Sequence, residues 1–338
     1  MRNQTKNYRN RSQAGFTLIE IMVAMAIGLI VVTAALSAYL GAAKLNRVAT
    51  AQSIMNEDGQ AALALLTQEI RMAGSNPMQP DRGPLIGRNP VYEATAAQTS
   101  YNTGSAKTGV FSISAFSLRG CTGLFIAEDP GSAADTIDNL TCANGNGDTL
   151  ALSYEADVFN THPFFGLPTD CTGTPLSVIT VTPPTAALVP GNKQDFALGA
   201  AAVTTYSVAD NRYFVAIMGG NLGLFCQGSG PAQILIENVE SLTLLYGVAH
   251  PTSGMLAGYL NAADVATHTG LNPLTLAQRW ARVVTVRICL VVRSDTSILS
   301  DAASARFLKC DGTLEDNPGD LRLRRAYSTT VVLRNQFI

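Results

Sequence analysis

A chain of 338 residues is long enough for one large or two small domains with a sizeable core. Only 14% of the residues are charged and the mean hydropathy is positive, which excludes intrinsic disorder and suits an envelope protein. The net charge of -2 is uneven: residues 1–15 carry Arg2, Lys6, Arg9 and Arg11 and no acid, so the remainder holds -6. An acidic body of this kind argues against broad phosphate-backbone binding, and nucleic acid is not expected as a partner.

Residues 1–15 are polar and show no apolar periodicity, and their charge places them on the cytoplasmic side as a leader peptide. Phe16 to Leu40 then carries no charge except Glu20, which is long enough to span a bilayer as a helix. A secretory signal peptide is the rival reading, with small residues for a cut at Gly41, Ala42 and Ala43. Its apolar core would be about twice the usual length and would contain an acid. The helical signal continues beyond the apolar run. Val48, Ala51, Met55, Gly59, Ala62, Leu66, Ile70 and Ala73 form one stripe at spacings of three and four. Gln52, Asn56, Glu57, Gln60, Gln68, Glu69 and Arg71 occupy the other face. Gly74 is placed as a C-terminal cap and Pro77 stops the helix, so the spacing predicts roughly 87 Å of helix from Phe16 to Ala73. Gly28 and Gly41 are its weak points.

Beyond Pro77 the composition turns to Gly, Pro, Thr, Ser and Asn with short β-branched runs. Residues 76–108 read as an irregular wrap. Strands are expected at Val110–Leu118, Leu124–Ala127, Thr149–Tyr154, Val178–Thr182, Val203–Val208, Tyr213–Met218, Leu222–Cys226, Leu242–Tyr246, Val283–Val292 and Ala326–Leu333. Val265–Trp280 reads as loop with at most one helical turn. The expected fold class is α+β: a long N-terminal helix, half membrane-spanning and half amphipathic, packed on a large antiparallel β-rich head. The expected division is a leader over 1–15, the helix over 16–75 and the head over 76–338.

Six cysteines, Cys121, Cys142, Cys171, Cys226, Cys289 and Cys310, all follow the apolar run, and none forms a CxxC or a zinc-type Cys/His spacing. An even, dispersed set behind a membrane segment reads as three disulfides in an oxidising compartment; buried free thiols are the alternative. Connectivity stays open, with pairing of sequence neighbours expected, most directly for Cys121 with Cys142.

No constellation points to catalysis, a cofactor or a metal. His162, His250 and His268 each stand alone in loop sequence, and there is no HExxH, GxSxG or P-loop. Asn144-Gly145-Asn146-Gly147-Asp148, with Glu155 beyond, is superficially like a calcium loop, but the turn glycine would be needed at Thr149, where a strand begins. Asp311, Glu315, Asp316 and Asp320 are expected as a solvated loop facing Arg322, Arg324 and Arg325. Trp280 is expected in the core, and Arg279, Arg282, Arg287 and Arg293 on the wet face of a strand.

Glu20 remains. A carboxylate inside a membrane helix is costly, although the positive end of the helix dipole offsets part of that near the N-terminus. A cut between Gly15 and Phe16 would create an ammonium one turn before Glu20, on its own chain or on a neighbouring subunit. An acid that merely snorkels to the cytoplasmic interface is the plain alternative.

Gly15-Phe16-Thr17-Leu18-Ile19-Glu20 behind a short basic leader resembles the class III signal of type IV pilins and type II secretion pseudopilins. The resemblance implies cleavage after Gly15 by the membrane prepilin peptidase, N-methylation of Phe16, and use of Glu20 for subunit registry. Many major pilins have a helix-bending proline in this region, and residues 16–76 have none, which argues against a major subunit. The remainder resembles the PilW branch of minor pilins, related to the J-type minor pseudopilin. Its carriers are Glu69-Ile70-Arg71-Met72-Ala73-Gly74, Gly147-Asp148-Thr149-Leu150, Glu237-Asn238-Val239-Glu240-Ser241-Leu242, and Arg324-Arg325-Ala326-Tyr327 running on to Asn335. That likeness implies a non-catalytic subunit that primes type IV pilus assembly near the tip, stored in the bacterial inner membrane with its head in the periplasm and then carried to the cell surface. Implied partners are other minor pilins, the major pilin, the prepilin peptidase, the inner-membrane assembly platform and membrane lipid. A J-type pseudopilin and a signal-anchored periplasmic enzyme or binding protein are the alternatives.

Overall fold

The structure is a computed structural model describing residues 15–75, 116–125, 137, 140–143, 147–176, 179–181 and 204–335. The expectations for the leader, for the wrap at 76–108 and for strand at 110–115 and 126–127 lie outside these residues. The chain divides into two compact units between Thr50 and Ala51, inside one continuous helix, α1 (Leu18–Met72). Leu, Met, Ala and Ile carry the helix without a proline, and Gly28 and Gly41 do not interrupt it.

From Ala51 onward α1 belongs to the β-rich unit. Met55, Gly59, Ala62, Leu66 and Ile70 are its buried residues, the centre of the stripe read from the spacing. Gly74 (φ 70°) ends the helix in the left-handed region that glycine tolerates best. Its N–H donates to Ser153 O at 2.9 Å, and Glu155 N–H donates to Ser75 O at 2.9 Å, so the chain leaving the helix is bonded to a strand. Asn335 Nδ2 donates to the carbonyls of Arg71 (2.9 Å) and Ala73 (3.3 Å), which would otherwise lack partners at the helix end.

All strand pairs are antiparallel. One sheet runs β1 (Leu118–Thr122), β2 (Asp148–Ala156), β4 (Thr204–Met218), β5 (Asn221–Gln227), β6 (Gln233–Glu237), with β3 (Ile179–Val181) also on β4. A second runs β12 (Arg324–Val332), β9 (Val283–Arg293), β7 (Val239–Ala249), β8 (Leu256–Leu260). β10 (Phe307–Leu308) and β11 (Leu314–Glu315) make a small ribbon. Leu150 and Leu152 of β2, Leu242, Leu244 and Tyr246 of β7, and Val286, Ile288 and Leu290 of β9 join the buried face of α1 in one core cluster. Trp280 lies in that cluster, its ring edge-on to Tyr246 with centroids 4.8 Å apart, as a core residue should.

Four sequence expectations change. The two strands expected at Val203–Val208 and Tyr213–Met218 are one strand, β4. Asp210-Asn211 looks like a turn signal, but Asp210 Oδ2 accepts from Ile137 N–H at 2.9 Å, and Asn211, fully buried, accepts from Cys171 N–H and donates to Tyr154 Oη. Tertiary partners replace the local ones that would have favoured a turn. The stretch expected as loop holds α2 (Ala262–Thr267), a 3₁₀ turn at Thr269–Leu271 and α3 (Leu276–Trp280). Arg279 is therefore buried rather than on a wet strand face, donating to the carbonyls of Leu274, Ala266 and His268 and to Asn272 Oδ1. Finally, β6, β8, β10 and β11 had no expected counterpart, and Phe125 makes a single bridge to Cys142 where a strand was expected.

Candidate functional site

Gly15 and Phe16 lie just ahead of α1, separated from it by Thr17, and Phe16 is 85% exposed. Thr17 is the residue before the helix, and Glu20 is its third helical residue. Thr17 N–H and Thr17 Oγ1 each donate to Glu20 Oε2 at 2.8 Å, while Glu20 N–H donates back to Thr17 Oγ1 at 3.3 Å. This is a reciprocal capping box, and its Thr-x-x-Glu spacing was readable in the sequence although only the acid drew notice there. Glu20 thus has a structural task inside its own chain: it takes up orphan donors at the helix start.

The helix beyond this cap is apolar and exposed all round: Leu18, Met25, Leu29, Ile30 and Leu40 are each more than half exposed. It is long and apolar enough to cross a membrane. A surface of this kind in water would aggregate, so lipid or other helices must cover it.

Within the β-rich unit, the amphipathic half of α1 docks on β12. Gly59 allows the close approach: a Cβ placed there would lie 2.6 Å from Tyr327 Cδ2. Tyr327 Oη donates to Asn56 Oδ1 at 2.7 Å and Arg325 Nη1 donates to the same oxygen at 3.2 Å. Arg325 therefore faces the helix, not the acidic loop where it was expected. In that loop Asp320 is held by Arg324, Glu315 by Lys309 and Asp316 by Arg306, while Asp311 Oδ1 accepts from Thr313. Arg324, 3% exposed at its side chain, is the centre of the network: Nε donates to Glu240 Oε2 at 2.6 Å and Nη2 to Asp320 Oδ2 at 3.0 Å. The hydrogen bond from Arg324 pulls the Asp320 carboxyl down to about 2.

All six cysteines are bridged: Cys121–Cys142, Cys171–Cys226 and Cys289–Cys310, each pairing with its neighbour in sequence. Each bridge ties a strand (β1, β5 or β9) to a flanking loop. Among the described residues, no group of three or more His, Cys, Asp or Glu side chains is arranged to hold a metal. Of the calcium-like stretch, residues 144–146 lie outside the described residues; Asp148 starts β2 and its Oδ2 accepts from Leu244 N–H at 2.6 Å.

The arrangement is an α+β, pilin-like architecture: Gly15 and Phe16 ahead of the helix, a carboxylate one turn on, an exposed apolar helix and an antiparallel β-rich unit. The family described as "Prokaryotic N-terminal methylation motif" matches residues 10–36, which include all three N-terminal residues. The family described as "Type IV Pilus-assembly protein W" matches residues 205–335, from β4 to just past β12. The two matches together support a PilW-family type IV minor pilin. No curated protein and no solved structure matches it.

Proposed function

We propose that this protein is a non-catalytic minor pilin that primes type IV pilus assembly and sits near the pilus tip. In this reading residues 1–15 are a cytoplasmic leader, residues 16–75 the membrane and assembly helix, and residues 76–338 a periplasmic head. Prepilin peptidase cuts after Gly15 and Phe16 becomes the N-methylated terminus. The mature subunit waits in the inner membrane until the assembly platform joins it to other minor pilins and then to the major pilin.

The observation that carries the reading is the coincidence of Gly15, Phe16 and Glu20 with the capped start of an apolar helix exposed on every side. Glu20 accepts from Thr17 on its own chain, which lowers its cost while the subunit is stored. Cleavage places an ammonium beside Thr17. The cap bonds pair the carboxylate with neutral donors; an ammonium, on its own chain or a neighbour, adds the attraction of a full opposite charge. Substituting Glu20→Ala should leave leader cleavage intact and reduce both piliation and recovery of minor-pilin complexes. Normal pili and normal complexes from that variant would remove the registry role.

A further inference from the structure

A cavity of about 420 Å³ lies within the β-rich unit, between the C-terminal part of α1 and the loop that follows β2. Its size falls in the range of small-ligand clefts. Leu65, Gln68 and Glu69 of α1 form one side, and Tyr154, Tyr213 and Leu235 come from β2, β4 and β6. Residues 159–162, 169–171 and 173 of the loop complete the wall.

That loop is held firmly. Asp157 Oδ1 accepts from the N–H groups of Phe159 and Asn160, and Asn160 Nδ2 donates to Glu155 O at 2.8 Å. Thr169 Oγ1 donates to His162 O at 2.7 Å. Asp170 accepts from Thr172 and Thr174 through Oδ1 and from Ser229 through Oδ2, so its oxygens are occupied within the protein. The Cys171–Cys226 bridge pins the far end to β5. The cleft is preformed, so a guest would not have to pay for ordering it.

Its polar groups are unevenly served. Glu69 Oε2 accepts from Asn211 Nδ2 at 3.3 Å, a long bond. Tyr213 Oη is fully buried and makes no hydrogen bond of good geometry, although it lies near enough to Glu69 to help stabilise its charge. Burial pushes the Glu69 carboxyl up, and the nearby hydroxyls and amide only moderate that. Two carboxylates, Glu69 and Asp170, line the cavity, with no lysine or arginine among the lining residues and His162 as the one base. At the mouth the Phe159 ring is 93% exposed, and Leu65 and Leu235 add apolar wall.

We infer that this cleft binds an organic cation, an ammonium or guanidinium group on an apolar stem, with Glu69 and Tyr213 meeting the charged head and Phe159 and Leu65 the stem. A head of this kind supplies N–H donors for the lone pairs of Tyr213 and for the carboxylate positions that Asn211 and the two tyrosines leave open, and a positive charge among acids. The stem suits the aromatic rim. The cation can come from a basic side chain of another protein or from a free alkylamine. The inference stands independently of the pilus reading, because it uses no residue of the N-terminal motif.

The test is calorimetric titration of the full-length protein in detergent with n-butylguanidinium and n-butylammonium, and with n-butylurea as the neutral isostere. Saturable, one-to-one binding of the cations is expected, with the urea failing to bind. Glu69→Gln, with unchanged near-ultraviolet circular dichroism, should weaken the cations about tenfold. Phe159→Ser, at an exposed loop position that leaves folding alone, should weaken them about threefold. Acetyl-Gly-Arg-Gly-amide and cadaverine then separate the sources: tighter binding of the peptide assigns the site to a protein's basic side chain, and tighter binding of cadaverine to a free amine. No saturable cation binding, equal binding of n-butylurea, or affinities unchanged by both substitutions would overturn the inference.

Discussion

Replacing Gly59 with alanine tests how the amphipathic half of α1 is seated. In an isolated helix the change would stabilise by about 1 kcal/mol. Here the new Cβ would fall 2.6 Å from Tyr327 Cδ2 and 2.7 Å from Cε2, roughly 1 Å inside the ordinary carbon–carbon contact of about 3.5–4.0 Å. The ring cannot swing away freely, because its Oη is bonded to Asn56 one turn earlier on the same helix. Overpacking of this kind costs about 1–3 kcal/mol, and surrendering the hydroxyl bond about 1 kcal/mol more. Steric cost therefore exceeds propensity, and Gly59→Ala should destabilise by about 1–3 kcal/mol. The assay is chemical unfolding of the full-length protein in detergent, followed by the fluorescence of Trp280, which is buried in the same unit. In a Tyr327→Ala background the substitution should become neutral or favourable, since its obstacle is gone. A Gly59→Ala protein at least as stable as the parent would refute the docking of α1 on β12.

Four further outcomes are expected. Replacing Cys171 and Cys226 together by serine should cost about 4 kcal/mol, because the bridge closes a 55-residue separation, and replacing Cys121 and Cys142 about 3 kcal/mol across 21 residues; thermal unfolding ranks the two pairs. Arg324→Met should cost about 1–3 kcal/mol by removing the buried cation from Glu240 and Asp320, whose carboxylates stay about a third exposed to water, read by the same unfolding curves. The pair also sets an acid dependence: because the Asp320 carboxyl is lowered from 3.8 to about 2, its contribution is complete above its ordinary value and disappears as pH falls through about 2. Melting temperature should drop in that window for the parent and more gently for Arg324→Met. Burial raises Glu69 and Asp148, so their contribution has the opposite sign, falling as pH climbs from the ordinary carboxyl range to their folded values. Glu69→Gln should therefore be neutral or stabilising at neutral pH, whereas a loss above about 2 kcal/mol would mean that its charge holds the fold together.

Periodicity read α1 well because its signal is local: a stripe at spacings of three and four is fixed by which residues lie on one face. The strands β2, β5, β7, β9 and β12 were legible for the same reason, as β-branched runs between glycine and polar breaks. Legibility ended where a residue's partner lies far along the chain. Asp210-Asn211 reads as a turn until Ile137, Cys171 and Tyr154 are brought to it from 73, 40 and 57 residues away. Arg279 is hidden for a different reason: its four acceptors lie within 13 residues, in a stretch of short helical turns too brief to show a periodic signal. The cavity is of the long-range kind, since Glu69, Tyr154 and Tyr213 converge from an α-helix and two strands with no local motif. The N-terminal site was the reverse, with Gly15, Phe16 and Glu20 contiguous in sequence. Even there Glu20 has a second task, capping its own helix, which its sequence signals only through the Thr-x-x-Glu spacing to Thr17.

Processing as a prepilin can be read from intact mass and N-terminal sequencing of the protein extracted from the inner membrane of peptidase-bearing cells. The mature chain should begin at Phe16 with one methyl group on its nitrogen. A chain beginning at Met1, or one cut near Ala43, would rule prepilin processing out.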